Sequence, residues 1–109
     1  MNLQEFISKT FEEKHGYCFR PKIVCNDGFI MSVQGSSGHY CTPRSTQDYY
    51  IEMEIGFPNQ EEGLIMEYAE QKNDPCGTVY GYVPCDIIQK VIDKHGGIDL
   101  NATFNTQTK

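Results

Sequence analysis

Alternation of apolar and polar side chains between Tyr49 and Phe57 is the sequence feature that most restricts the fold of this chain. One side of the segment carries Tyr49, Ile51, Met53, Ile55 and Phe57, and the other carries Tyr50, Glu52 and Glu54. A period of two is typical of a strand with one buried and one solvated face, as in antiparallel sheets. The segment therefore predicts a half-exposed strand with an acidic outer face.

Further strands are predicted on both sides of this segment. Residues 22–25 and 29–34 flank the turn Asn26-Asp27-Gly28, and Phe29, Met31 and Val33 share one face, which predicts a β-hairpin. Residues 78–83 predict a short strand. Residues 63–69 fit either a helix or a strand, and the breaker sequence QKNDPCG that follows favours a strand.

Two amphipathic helices are predicted near the ends of the chain. The first apolar stripe is Leu3, Phe6, Ile7 and Phe11, and the second is Ile87, Ile88, Val91 and Ile92. The first helix spans residues 2–15 with Asn2 as its cap, and the second begins at Pro84. Both end in Lys-His-Gly, which is typical of helix C-termini and makes His15 and His95 helix-end residues.

These elements predict one α+β domain over residues 1–98. A mostly antiparallel sheet of about four to five strands has an N-terminal and a C-terminal helix packed on one face. Residues 99–109 are polar and aperiodic, which predicts a frayed tail. No apolar run reaches 18 residues and no signal-peptide pattern is present, so we expect a cytoplasmic protein with no membrane partner. Five cysteines without a secretion signal favour reduced thiols.

Negative charge is concentrated in the middle of the chain. Residues 47–75 contain eight acids against one base, a net charge of −7, whereas the whole chain has −6. Such a field repels phosphate backbones and attracts basic surfaces, so we expect no direct nucleic-acid contact and a basic protein partner. The predicted contact residues are Glu52, Glu54, Glu61, Glu62, Glu67 and Glu70, with Tyr50 as an amphipathic anchor. The alternative is a solvated face that only maintains solubility.

The loop GSSGHYCTPR, residues 35–44, supplies two alternative sites. Tyr40 and Arg44, together with Arg20 and Lys22, would form an aromatic and cationic pocket for a nucleotide-like anion. His39 and Cys41, together with Cys18 and Cys25, would form a zinc site, although no Cys-x-x-Cys spacing is present. A Cys–His nucleophile lacks a flanking signature and an orienting residue, so we expect no catalytic residue and no cofactor.

Three phrases of the sequence carry a resemblance to known proteins: KIVCNDGFIMSVQG, HYCTPR and GTVYGYVPCDIIQKVIDKHGGI. Together with the short acidic chain, they resemble small proteins encoded by phages and mobile elements of gut bacteria, among them anti-CRISPR and other anti-defence proteins. The resemblance implies a non-enzymatic inhibitor in the cytoplasm of the bacterial host that blocks a basic nucleic-acid channel. It assigns no role to any individual residue.

The expected function is thus that of an inhibitor that binds a bacterial defence complex, such as a CRISPR effector, through an acidic surface that competes with nucleic acid. One alternative is a sponge that sequesters a nucleotide-like defence signal. The other is a small zinc-binding protein. Exposed sheet edges also allow pairing of two copies, so a homo-oligomer is a further expectation.

Overall fold

The computed structural model describes residues 1–13, 15–16 and 18–105. An antiparallel sheet has the strand order β1-β2-β3-β4. The strands are β1 (Ile23–Val24), β2 (Ile30–Gln34), β3 (Glu52–Gly56) and β4 (Val79–Pro84), and the helices are α1 (Leu3–Lys9), α2 (Cys85–Lys94) and α3 (Leu100–Asn105), with a 3₁₀ helix (Gly63–Tyr68) between β3 and β4. The predicted α+β fold with an antiparallel sheet is confirmed.

The β1–β2 hairpin forms around the predicted turn. The side-chain carboxylate of Asp27 accepts a hydrogen bond of 3.0 Å from the backbone N–H of Phe29. Gly28 has φ +94°, a conformation that glycine adopts without strain. Phe29, Met31 and Val33 are fully buried on the core side, as predicted.

Alternation along β3 is also confirmed, but it stops where the strand stops. Met53 and Ile55 are fully buried. Tyr49, Ile51 and Phe57 were predicted on the same face, yet each is more than half exposed because the chain leaves the sheet before Glu52 and after Gly56.

No helix in the described residues is long and apolar enough to cross a membrane.

Helix α1 is shorter than predicted. Asn2 and Glu5 form a capping box at its start, as the sequence favours. The helix ends at Lys9, where the Thr10 hydroxyl donates a 2.6 Å hydrogen bond to the carbonyl of Phe6. The predicted extension to residue 15 is wrong, since His15 has φ +56° and stands outside any helix end. Lys14 lies outside the described residues.

Residues 63–68 form a 3₁₀ helix, so the predicted strand is wrong here. Glu62 caps this helix, because its carboxylate accepts a 2.9 Å hydrogen bond from the backbone N–H of Leu64. The Ile65 side chain is fully buried, which fixes the helix against the core. Only Ala69, directly after it, forms an isolated bridge to Tyr80 of β4.

The C-terminal part contains a helix that the sequence pattern missed. Helix α2 follows Pro84 directly and buries Ile88, Val91 and Ile92, as predicted. A frayed tail was predicted from Asp99 onwards. This prediction is wrong for residues 100–105, which form helix α3. Its Thr103 is buried, and the hydroxyl accepts from the N–H and donates to the carbonyl of Val24 in β1. Residues 106–109 lie outside the described part of the chain.

Candidate functional site

A small cleft opens beside β4, and we call it the tyrosine cleft. It is lined by Tyr40, Tyr68, Glu70, Gly81 and Tyr82 and has a volume of about 290 Å³. These residues come from the loop after β2, the end of the 3₁₀ helix, the segment after it and β4. Residues far apart in sequence thus supply three aromatic rings and one carboxylate to one cleft.

A β-bulge in β4 positions one wall of the cleft. The pairs Met53–Val83 and Ile55–Tyr80 leave Gly81 and Tyr82 together opposite the single residue Glu54. Such a bulge changes the direction in which a side chain points. Tyr82 accordingly has φ +54°, and its backbone N–H donates a 3.0 Å hydrogen bond to the carbonyl of Tyr40. The bulge therefore ties the β4 wall of the cleft to the loop after β2.

Close packing holds Tyr40 against this bulge. A Cβ added at Gly81 would lie 3.3 Å from the Cβ of Tyr40, so glycine permits this approach. The rings of Tyr40 and Tyr82 have centroids 6.0 Å apart and are tilted by 31°. Arg44 places its guanidinium carbon 5.1 Å from the centroid of the Tyr40 ring, a cation–π contact.

Carboxylates give the cleft a negative field. Burial raises the pKa of Glu54 and the nearby Glu70 raises it further, whereas Arg44 and the backbone N–H of Tyr40 oppose the shift. Desolvation raises the pKa of the Tyr68 phenol, and the nearby negative charges of Glu67 and Glu52 raise it further. Four carboxylates therefore act on the walls of the tyrosine cleft.

The predicted contact acids differ in how far the fold exposes them to solvent. Glu61, Glu67 and Glu70 are exposed, and Glu52 and Glu54 are half-buried. Glu62 is buried with 1% of its surface exposed, so its prediction as a surface contact is wrong.

Tyr50 is likewise wrong as a surface anchor, because only 2% of it is exposed. Its hydroxyl donates a 2.7 Å hydrogen bond to the carbonyl of Ser45. A Cβ at Gly35 would lie 2.7 Å from the Tyr50 ring, so the glycine makes room for the buried tyrosine.

The buried Glu62 belongs to a charged cluster that sequence reasoning missed. His95 lies between two carboxylates, with Nδ1 2.6 Å from Asp27 Oδ2 and Nε2 2.6 Å from Glu62 Oε1. Lys94 Nζ is 2.9 Å from the second oxygen of Glu62. The Phe29 ring stacks on the imidazole at 4.2 Å between centroids. We call this set of five residues the His95 cluster.

The geometry of the His95 cluster indicates a structural role. Burial lowers the pKa of His95, but the hydrogen bonds to Glu62 and Asp27 outweigh it, so the pKa is raised. An imidazole can donate from both nitrogens to facing carboxylates only as the doubly protonated cation, and the raised pKa of His95 favours that form. His95 ends α2, as the sequence predicted, but its tertiary partners lie 68 and 33 residues away and leave no local sequence signal.

The fold separates the residues predicted for the anion pocket into two pairs. Arg20 is 1% exposed and donates to the backbone carbonyls of Gly35, Ile7 and Gln47, so its guanidinium is engaged inside the protein. Arg20 and Lys22 line one cleft, whereas Tyr40 and Arg44 contact each other and do not line that cleft. The prediction of a single pocket formed by all four residues is wrong. The sponge hypothesis stays a prediction.

The predicted zinc ligands have hydrogen-bond partners in the protein. His39 Nδ1 is 2.7 Å from the Ser36 hydroxyl oxygen, and the Cys41 thiol donates to the carbonyl of Ser36. Burial raises the pKa of Cys41 and raises that of Cys25 to about 11, which favours neutral thiols. Cys18 is also buried.

Within residues 1–13, 15–16 and 18–105, no group of three or more His, Cys, Asp or Glu side chains is arranged to hold a metal ion. Zinc binding stays a prediction.

The tyrosine cleft and the His95 cluster are thus the two concentrations of polar chemistry that the fold assembles. The cleft is exposed, whereas the cluster is mostly buried and fully engaged in internal contacts. No protein-family model matches the chain, and comparisons with curated proteins and with solved structures return no match.

Proposed function

We propose that this chain is a non-enzymatic inhibitor that binds a basic protein of a bacterial defence complex, such as a CRISPR effector, and competes there with nucleic acid. The observation that carries the proposal is the grouping of four carboxylates around the tyrosine cleft. These are Glu52, Glu54, Glu67 and Glu70, four of the six acids that the sequence analysis assigned to the contact surface.

Physical chemistry favours this surface as a protein-binding site. Tyrosine is enriched at the centres of protein interfaces because its ring buries apolar area while its hydroxyl remains able to hydrogen-bond. Tyr40 and Tyr82 are 38% and 43% exposed, so both rings are accessible to a partner. Carboxylates around them accelerate association with a basic surface and select against acidic partners.

Competition with nucleic acid follows from the same charges. A groove that binds a phosphate backbone is lined by lysine and arginine, and a surface with several carboxylates can occupy it in place of phosphates. We expect binding to weaken as salt rises, because exposed charges are screened.

Charge reversal around the cleft tests the proposal. The triple variant Glu52→Lys, Glu67→Lys, Glu70→Lys should lose capture of its partner from a bacterial host and lose inhibition of nucleic-acid binding by that partner. The matched control Glu12→Lys, Glu13→Lys, Asp48→Lys changes the net charge equally at exposed positions that do not line the cleft. Equal loss in both variants, or in neither, would refute the role of this surface.

A further inference from the structure

The tyrosine cleft has the size of a site for one side chain. Its volume of about 290 Å³ lies at the lower limit of the roughly 300–1,000 Å³ typical of pockets for drug-sized ligands. Glu70 lies on its wall, and the Glu70 charge acts on the nearby Glu54, so the local field disfavours an anion such as a nucleotide. A small cationic group matches both the volume and the charge.

The aromatic walls favour a cation as well. The face of a tyrosine ring carries negative electrostatic potential, and cages of aromatic rings hold alkylammonium groups. The protein itself uses this attraction, because the Arg44 guanidinium lies over the Tyr40 ring. A flat guanidinium stacks best on one ring, whereas a cleft walled by three tyrosines suits a compact ammonium group.

The walls are also fixed before any ligand arrives. The Tyr82 N–H donates a 3.0 Å hydrogen bond to the Tyr40 carbonyl, and Gly81 packs closely against the Tyr40 side chain. Tyr68 is half-buried and packs against the hydrophobic core. A site whose walls are already held in place loses little conformational entropy on binding, which favours affinity.

We infer that the tyrosine cleft binds the ammonium group of one lysine side chain of the basic protein partner. The identity of the lysine donor rests on the proposed function. The affinity of the cleft for a lysine ammonium group does not, because it depends only on the walls of the cleft.

The test uses the full chain and a small probe, N-acetyl-lysine N-methylamide, with tyrosine ring resonances followed by NMR. We expect saturable shifts of the cleft tyrosines with this probe and none with the norleucine analogue, which has the same chain length without the charge. Tyr82→Leu and Glu70→Gln should each weaken binding by about two- to fivefold. Glu70 is exposed, so Glu70→Gln keeps the test valid if Tyr82→Leu fails to fold.

Matched controls are available on the same molecule. Tyr49 is 56% exposed and lies in another cleft, and Glu13 is an exposed acid that does not line the tyrosine cleft. Tyr49→Leu and Glu13→Gln should leave the affinity for the lysine probe unchanged. Absence of saturable shifts, equal binding of the norleucine analogue, or equal weakening by the controls would overturn the inference. Tighter binding of N-acetyl-arginine N-methylamide would overturn the choice of lysine.

Failure of this inference can be distinguished from failure of the proposed function. If the lysine probe does not bind but the charge-reversed triple variant loses its partner, only the lysine site is overturned. If the probe binds but the triple variant keeps its partner, the proposed function and the assignment of the lysine to that partner are overturned, and the affinity of the cleft for a lysine ammonium group stands.

Discussion

His95 Nε2 lies 2.6 Å from Glu62 Oε1, and this contact joins the C-terminal end of α2 to the cap of the 3₁₀ helix. The opposite ring nitrogen joins the same imidazole to Asp27 in the β1–β2 turn. One side chain therefore connects three segments that pack around the core. Its removal should affect the stability of the whole domain.

Replacement of Glu62 by glutamine should be strongly destabilising. The substitution leaves the imidazolium with an uncharged partner on its buried side and removes the charge that Lys94 faces. Weakening a hydrogen bond between a buried charged group and its partner typically costs about 1–3 kcal/mol. Urea unfolding followed by circular dichroism would measure the change.

The neighbouring Glu61→Gln is the control for Glu62, because Glu61 is exposed. We expect it to change the free energy of unfolding by less than about 0.5 kcal/mol. Similar effects of the two substitutions would contradict the buried role of Glu62.

Stability should also depend on pH through His95. Its pKa is raised above the ordinary value of 6.5, so the folded protein holds the proton more tightly than the unfolded chain. The resulting stabilisation is complete below pH 6.5 and is lost as the pH rises through the folded-state pKa. The pKa values of Asp27 and Glu62 are lowered, so the stabilisation from these acids is lost on the acid side.

Urea unfolding between pH 5 and pH 9 would test this dependence. The difference in the free energy of unfolding between the wild type and His95→Gln should shrink as the pH rises. A difference that stays constant or grows towards alkaline pH would contradict a cationic His95.

The fold could be predicted from sequence where the determining signals are local. The hairpin followed from Gly28 and the alternation of Phe29, Met31 and Val33, and the core face of β3 followed from Met53 and Ile55. Each of these patterns lies within a single strand, and the alternation of apolar residues indicates which of its side chains are buried.

The candidate site could be predicted only in part. The acidic band and Tyr40 were identified from composition and loop chemistry, but Tyr82 enters the cleft through a bulge whose register depends on β3. The His95 cluster depends on three distant segments, and no periodicity encodes it. Helix α3 was missed because a buried threonine, Thr103, anchors it to β1.

Replacement of Thr103 by valine tests that anchor. Valine keeps the shape but removes the acceptor for the Val24 N–H and the donor for the Val24 carbonyl. Two lost hydrogen bonds at a buried residue should lower the free energy of unfolding by about 1–3 kcal/mol. Hydrogen exchange of the Val24 amide should accelerate in the variant. Asn101→Ala, at an exposed position on the same helix, should leave exchange at Val24 unchanged.

Replacement of Glu54 by glutamine should stabilise the protein and weaken the cleft. Burial, then Glu70, raises the pKa of Glu54, so its ionised form destabilises the folded state at neutral pH. Glutamine removes this charge and is close to glutamate in size and shape. At pH 7 the melting temperature should rise by about 2–4 °C, after allowance for solvent screening.

The gain should shrink as the pH falls through the folded-state pKa of Glu54, because the wild-type carboxyl then becomes protonated itself. The same variant should bind the lysine probe more weakly, since one of the four carboxylates is neutralised. Thermal melts between pH 4 and pH 8, with Glu61→Gln as the control, would measure the first effect and NMR titration the second. A lower melting temperature at pH 7, or a gain that grows on acidification, would contradict the assignment of Glu54 as a destabilising charge retained for binding.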